Sequence, residues 1–383
     1  MKQLSFHQSF FDNVTFVPET EGIKYAGSKL KLLPYIISLI QDVEADVILD
    51  GFSGTTRVSQ ALSQLGYKII ANDIAVWSKV FGYCYLLNQR SISYYEDIIQ
   101  YLNSLPPKYG WFTEHYGGIA NNGNSKQQDG LKKPWQIHNT MKLDAIRDEI
   151  DNLGLDDIEK SVVLTSLILA LDSVDNTMGH YASYLQKWSP RSYNQMVLKV
   201  PRLIRQRRKH TVLQKDIFDV LNDVVVDLAY FDPPYGSNNE KMPPSRVRYA
   251  AYYHLWTTII LNDRPKLFGK VKRRLDSSDT QAASIFEEFR RNPETGRFIA
   301  VEAIERMLEQ TKARYIILSY SSGGRATADE LSQSIRKVGK IKKVIEVNYR
   351  KNVMAGMTWT NEWVKNAEKQ HYEFLFLIGS YAS

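Results

Sequence analysis

The chain has 383 residues, 43% hydrophobic and 24% charged, a balance that excludes a largely disordered polypeptide and leaves room for two to three units of about 150 residues. Lysine and arginine outnumber aspartate and glutamate by 49 to 42, a net charge of +7, which permits a polyanionic partner without requiring one. The single cysteine, Cys84, excludes an internal disulfide and a cysteine-based zinc site.

The first residues, Met1 to Val14, lack the apolar stretch of a signal peptide. The longest apolar run, Ser161 to Leu171, is too short to span a bilayer. The expectation is a cytoplasmic chain with no membrane partner. An irregular arm runs to about Glu21. Leu30, Leu33, Ile36, Ile37 and Ile40 recur at helical spacing and predict a helix over 28–40 capped by Ser28. Val47-Ile48-Leu49, closed by Gly51 and Gly54, predicts a buried strand ending in a tight turn. Val58 to Leu65 is a second helix stopped by Gly66, and Lys68 to Ala71 a second strand ending at Asn72-Asp73. Strand, turn, helix and strand make the βαβ unit of a parallel sheet.

The pattern then breaks. Residues 105–140 are rich in glycine, asparagine and lysine with isolated Trp111, Tyr116 and Trp135, which predicts a long loop or a hairpin. Helical patterns return over 141–152, 158–173 and 193–209. Strand signals follow at 212–214, 224–231, 314–320, 341–349 and 372–378. The division implied is one half of a sheet domain over 1–90, a mainly helical insertion over 91–205, and the other sheet half over 206–383.

Four segments carry chemistry. Phe231-Asp232-Pro233-Pro234-Tyr235 closes an apolar strand, the place where open α/β sheets bind ligands. Two prolines fix φ and leave their carbonyls aimed outward. A carboxylate, rigid carbonyls and an aromatic face suit a planar group bearing –NH2. Elsewhere the same tetrapeptide would be a plain turn. Asp50-Gly51-Phe52-Ser53-Gly54-Thr55-Thr56 joins the first strand to a helix; its small residues let a ligand approach free helix N–H groups, though it is also an ordinary tight turn. Asp73 lies about twenty residues on, the offset at which an acid binds ribose hydroxyls, or caps the next helix. Lys24-Tyr25-Ala26-Gly27-Ser28-Lys29 offers amides and two lysines to a carboxylate, or a simple N-cap.

In this order the segments resemble the Dam-like adenine-N6 DNA methyltransferases, and within them the modification enzymes that accompany type IIS restriction endonucleases. That family has K-[WY]-x-G-[GS]-K, [DE]-x-F-x-G-x-G, an acidic strand end, a target-recognition insertion and DPPY. The resemblance spans about residues 20–380, including a closing pair of strands with a basic connection. One departure is Thr56, where the family has a glycine; a Cβ there would crowd the cofactor.

The resemblance implies a Rossmann-like S-adenosylmethionine-dependent methyltransferase sheet with an inserted, mainly helical target-recognition domain. It implies S-adenosylmethionine as cofactor, with Tyr25, Lys29, Phe52, Ser53, Gly54, Asp73, Asp216, Ile217 and Phe218 around it. Lys29 would face the methionyl carboxylate and Asp73 the ribose. Ile217 and Phe218 would flank the adenine, with Asp216 at its polar edge. Asp232 and the Pro233 carbonyl would hold both amine hydrogens, Pro234 would stiffen the corner, and Tyr235 would stack on a flipped base. Asp232 near its ordinary pKa is too weak to deprotonate an aryl amine in advance, so the proton leaves during or after transfer.

Double-stranded DNA is the implied partner. Two basic runs are the phosphate-contact candidates: Arg202, Arg205, Arg207, Arg208, Lys209 and His210, and Arg264, Lys266, Lys270, Lys272, Arg273 and Arg274. Asn121, Asn122, Asn124, Lys126, Gln127 and Gln128 offer base-reading side chains. Cytosine-N4 methylation, RNA or protein N-methylation and a non-catalytic DNA-binding module are the rival functions. The expected chain is a monomer without a metal, since its seven histidines show no HxxxH spacing; a cognate endonuclease is left open. His180 is expected in a structural or DNA-contact place, and Ser319 to Gly324 beside the base pocket or in a plain loop.

Overall fold

The computed structural model describes residues 16–120, 122–235, 249–278, 281–349 and 371–381. Seven strands form its main sheet: β1 (Val47–Asp50), β2 (Lys68–Asn72), β3 (Thr211–Leu213), β4 (Val225–Phe231), β5 (Lys312–Ser321), β6 (Gly339–Tyr349) and β7 (His371–Ser380). They lie side by side as β3-β2-β1-β4-β5-β7-β6. Neighbours are parallel except where β7 pairs antiparallel with β5 and β6. The order reverses between β1 and β4, which opens a crevice at their carboxyl ends.

The helices follow in chain order as α1 (Leu33–Gln41), α2 (Arg57–Gln64), α3 (Val76–Gly82) running on as a π turn (Tyr83–Leu87), α4 (Ile92–Ser104), α5 (Trp111–Tyr116), α6 (Ile137–Asn152), α7 (Asp157–Ser173), α8 (Ile217–Asp223), α9 (Tyr249–Tyr252), α10 (His254–Leu261), α11 (Ile299–Gln310) and α12 (Ala328–Val338). Strand residues alternate between two cores. Ile48, Leu228, Tyr230 and Ile317 pack with α1 and α2, whereas Leu49, Ala229, Phe231 and Leu318 pack with α8, α11 and α12. Strands covered on both faces read as unbroken apolar runs, and each fully buried Leu or Ile contributes roughly 1.5–3 kcal/mol.

A third core holds α3, the π turn, α4, α6, α7 and α10 around Trp77, Phe81, Trp135, Leu143 and Trp256. Two of the three helices predicted between 141 and 209 are present, as α6 and α7. Their apolar side closes on α3 and α10, which lie outside 91–205, so this core runs across both expected boundaries. Among the described residues no helix is long and apolar enough to cross a membrane.

Three sequence expectations need correction. The first helix begins at Leu33, with a proline in its first turn and no side-chain cap. Ser28 instead donates its N–H to Tyr25 O at 3.1 Å, closing a turn. No helix forms over 193–209. Pro201 lacks the N–H a helix needs, and the segment is extended, held by Asn139 Oδ1 on Met196 N (2.8 Å), Asn103 Oδ1 on Leu198 N (2.9 Å) and Ser166 Oγ on Lys199 O (2.6 Å). The long loop over 105–140 contains α5, a parallel two-strand pair of Gly117–Gly118 with Trp135–Gln136, and a Lys126–Lys132 bridge. The basic connection between the last two strands lies outside the described residues.

Candidate active site

The turns after β1, β2, β3 and β4 surround one cavity of about 840 Å³, toward the upper end for small-molecule sites. Tyr25, Lys29, Phe52, Ser53, Gly54, Asp73, Asp216, Ile217 and Phe218 all line it, and so do Asp232 and Pro234. The sheet brings these together because their strands share an edge, although the residues span two hundred positions.

The turn after β1 is built for close approach. A Cβ on Gly51 would meet Phe231 Cδ1 at 2.6 Å, and Gly54 has φ of +48°. Thr56 takes φ of +59°, so it keeps the left-handed backbone of the glycine it replaces, a strained state for a β-branched residue. Its side chain is fully buried and turned away from the cavity, bonding Thr55 O (2.7 Å) and Gln60 Nε2 (3.1 Å). The anticipated crowding is therefore absent.

Asp73 ties the two turns. It accepts from Gly54 N and Ala75 N, both at 2.9 Å, and each oxygen keeps a further acceptor position for a hydroxyl. Burial raises its pKa despite these bonds. Asp216 caps α8 through Phe218 N at 2.9 Å. Phe218 stacks on Phe286 (5.8 Å between centroids, 11° between planes), and the Arg306 guanidinium lies 3.7 Å from the Phe218 ring centroid. Tyr25 stacks on Tyr253 at 4.9 Å.

Asp50 opens the glycine turn named from the sequence, but no role was assigned to it there. It is 1% exposed; Oδ2 accepts from Ser59 Oγ at 2.6 Å, while buried Oδ1 has no partner. Burial raises its pKa to about 7. In the unfolded chain the carboxyl titrates near 3.8, so between these values the folded state binds the extra proton. Asp50 therefore costs stability as pH rises through that window. Asp50→Asn is expected to raise the urea midpoint at pH 8, by on the order of 2 kcal/mol in stability, with the gain vanishing toward pH 4. Urea melts at both pH values check it.

At the other end of the cavity, Asp232 Oδ1 lies 2.9 Å from Lys29 Nζ. The same ammonium lies 2.9 Å from Glu373 Oε1 and donates to Tyr235 OH at 2.8 Å. Tyr235 OH and Ser319 Oγ each donate to Glu373 Oε1 at 3.0 Å. Burial, opposed by Lys29 and reinforced by the Glu373 charge, raises the Asp232 carboxyl to about 7. Burial works against the Lys29 charge, but Asp232 and Glu373 outweigh it and hold the ammonium well protonated. Burial together with two acids sharing one cation accounts for both shifts.

Two expected placements change here. Lys29 lines the cavity, but its ammonium is engaged by Asp232, Glu373 and Tyr235 rather than held out for a methionyl carboxylate. Tyr235 does not line the cavity: its ring meets Tyr320 at 5.0 Å and 61°, so Tyr249 and Pro234 are the wall residues beside Asp232. Pro233 is buried behind the corner. Glu373 was missed, although an acid opening the run Phe374-Leu375-Phe376-Leu377-Ile378 was a visible signal.

The basic runs separate. Arg208 pairs with Asp46 and Gly66 O, and His210 Nδ1 accepts from Ile69 N. These contacts lie at the amino ends of β1 and β2, opposite the cavity, so the stretch 207–210, with Arg207, Arg208 and Lys209, does not flank the site. Arg202 pairs with Glu19, and Arg205 is exposed. Arg208→Ala is expected to leave duplex-DNA affinity unchanged in a salt titration. The second run ends on the cavity wall. Arg274 lines the cavity, 4% exposed, paired with Asp263 and Asp276, and so is not a free phosphate contact. Arg273 bonds Ser277 and covers the Phe268 ring. Lys270 and Lys272 sit on the adjoining turn, which Tyr116 and Tyr184 hold through Lys272 O (2.8 Å) and Val271 O (2.9 Å).

Among the base-reading candidates, Gln127 is occupied, bonding Ile119 N, Ile119 O and Ser125 O. Asn124 caps Lys126 N at 3.0 Å. Asn122, Lys126 and Gln128 are exposed, and Asn121 lies outside the described residues. His180 stacks on Tyr252 at 4.5 Å.

A doubly wound sheet whose switch-point crevice holds one large cavity, closed at one end by the Asp232–Pro234 corner, defines an α/β fold with a ligand site at its strand ends. The chain matches the D12 class N6 adenine-specific DNA methyltransferases over residues 25–322, and it belongs to that family. It is 27% identical to the modification methylase StsI of Streptococcus sanguinis over 93% of this chain and 52% of that protein. It is 25% identical to the type II methyltransferase M.NlaIII of Neisseria lactamica, over 86% of this chain and 92% of that one. With M.FokI of Planomicrobium okeanokoites it shares 24% over 93% and 52%. The chain thus spans about half the length of the StsI and FokI enzymes.

The methyl donor of this family is S-adenosylmethionine, and the residues fit it. The partnerless Asp50 Oδ1 on the cavity wall suits a donor carrying a sulfonium and an ammonium. Asp73 suits ribose hydroxyls, and Ile217 and Phe218 give an apolar slot for a purine.

Proposed function

We propose that the chain is a site-specific DNA adenine-N6 methyltransferase, the protecting partner in a restriction–modification pair. One observation carries this: a single cavity joins the Asp232–Pro234 corner to the glycine turn and Asp73. When bound, S-adenosylmethionine supplies a methyl group already activated by its sulfonium, so the protein's task is placement.

The amine of adenine is a poor nucleophile because its lone pair is delocalised into the ring. Asp232 accepts one amine hydrogen and a proline carbonyl the other, which favours a pyramidal nitrogen facing the methyl. The displaced proton passes to Asp232, whose raised pKa makes it a better acceptor than a solvated aspartate. Such a corner cannot reach a base inside a duplex, so the adenine is flipped out, at a few kcal/mol, and Tyr249 and Pro234 form its walls. Lys270 and Lys272 near the cavity, with exposed Lys126, Lys132 and Lys187 on the insertion, are the DNA-facing cations, and 91–205 is the recognition unit.

The test is sequencing of modified bases in DNA from cells expressing the chain, with methyl incorporation into duplex DNA, RNA and protein compared in vitro. N6-methyladenine at one short sequence is the expected product. N4-methylcytosine, or methylation of RNA or protein alone, overturns the reading.

A further inference from the structure

Among the described strands of the main sheet, β7 alone runs against its neighbours, and this reversal brings its first residues to the catalytic edge. Glu373 pairs in register with Ser321 at the carboxyl end of β5. The Glu373 side chain is 8% exposed, and a buried acid is costly unless it is well bonded. Its Oε1 receives Lys29 Nζ, Tyr235 OH and Ser319 Oγ within 3.0 Å. Lys29 itself precedes α1 on a turn with no strand to hold it. The bonds that fix its ammonium beside Asp232 come from Glu373 and Tyr235.

We propose that Glu373 is a positioning residue for methyl transfer, holding Lys29 against Asp232 and keeping the corner one negative charge in excess. This rests on the methyltransferase reading above. Lys29 occupies one acceptor position of Asp232 Oδ1, so the amine meets the carboxylate in a fixed orientation. In the transfer one N–H bond is exchanged for N–CH3. The electron pair of the broken carbon–sulfur bond stays on sulfur, which becomes a thioether, and the nitrogen's proton goes to Asp232. Two carboxylates and one ammonium carry −1 before this step and are neutral after it. Without the Glu373 charge the Asp232–Lys29 pair is already neutral and takes the proton less readily. Among the described residues, the other groups facing Asp232 are Asp50 on β1, Tyr230 on β4, Tyr25 ahead of Lys29, Tyr235, and Tyr249 on α9. Burial raises the pKa of each of these tyrosines, so they stay uncharged through neutral pH.

The experiment compares wild type, Glu373→Gln and Glu373→Asp for kcat, KM for duplex DNA, S-adenosylmethionine binding by calorimetry, and the pH–rate profile. The glutamine variant is expected to bind cofactor normally, to lose about 10–100-fold in kcat with little change in KM, and to shift the acid limb to lower pH. The aspartate variant keeps the charge on a shorter arm, so its acid limb stays at the wild-type position and its kcat lies between the other two. It also decides the question if the glutamine variant does not fold. An unmoved acid limb in Glu373→Gln, or an aspartate variant no better than glutamine, overturns the proposal while leaving the methyltransferase reading intact. A wild-type chain that leaves adenine unmethylated overturns both.

Discussion

Replacing Asp232 by alanine is expected to abolish methylation, by at least ~10³-fold in kcat/KM, while S-adenosylmethionine still binds. The cavity joins two chemistries at its two ends. Asp73 and the glycine turn, which suit the cofactor, do not depend on Asp232: the Gly54–Asp73 bond is formed from β1 and β2 alone. The amine's place does depend on it. Stability should not fall, because Lys29 keeps Glu373 as a partner at 2.9 Å and the corner loses its surplus charge. Calorimetry with the cofactor and a methyl-incorporation assay on duplex DNA test both halves. Activity close to wild type would remove Asp232 from the chemistry.

Lys29→Met is expected to be the reverse case, losing both activity and stability. The substitution strips the ammonium from two buried carboxylates, Asp232 and Glu373, and uncompensated buried charge costs about 3–5 kcal/mol. The sign with pH follows from linkage. Burial raises the Asp232 carboxyl against the pull of Lys29; without the cation it rises further, so the folded protein takes up a proton that the unfolded chain does not. The loss is then full at pH 8 and shrinks as pH falls through the raised Asp232 value. Guanidinium melts of wild type and variant at pH 5 and pH 8 measure it. A deficit equal at both pH values would mean that the carboxylates do not depend on Lys29 for their charge. Asp232→Ala and Lys29→Met thus separate a group that does chemistry from one that also holds the corner together.

Much of this was legible from residues alone. The strands ending in Asp50, Asn72 and Phe231 announced themselves because strands buried on both faces are nearly continuous apolar runs. Seven of the nine candidates that line the cavity, Phe52, Ser53, Gly54, Asp73, Asp216, Ile217 and Phe218, were legible because each lies just past a strand end, and a parallel sheet gathers such ends on one edge; Tyr25 and Lys29 precede every strand and were legible only through their motif. Local pattern failed over 193–209, where helical spacing lost to Pro201 and to side-chain bonds from distant Asn103, Asn139 and Ser166. It failed again for Arg208, whose charge says nothing about which end of the sheet it occupies.

The amino-acid order by itself determined the βαβ succession, the glycine turn and the acid–proline–aromatic corner, because these depend on short-range sterics and periodicity. Only the tertiary structure decided that Lys29 faces Asp232, that Tyr235 turns toward Tyr320, and that Glu373 joins them. Those contacts link residues 85 or more positions apart, and the one through Glu373 exists because β7 runs antiparallel into the sheet and sets its acid against a lysine from the chain's beginning.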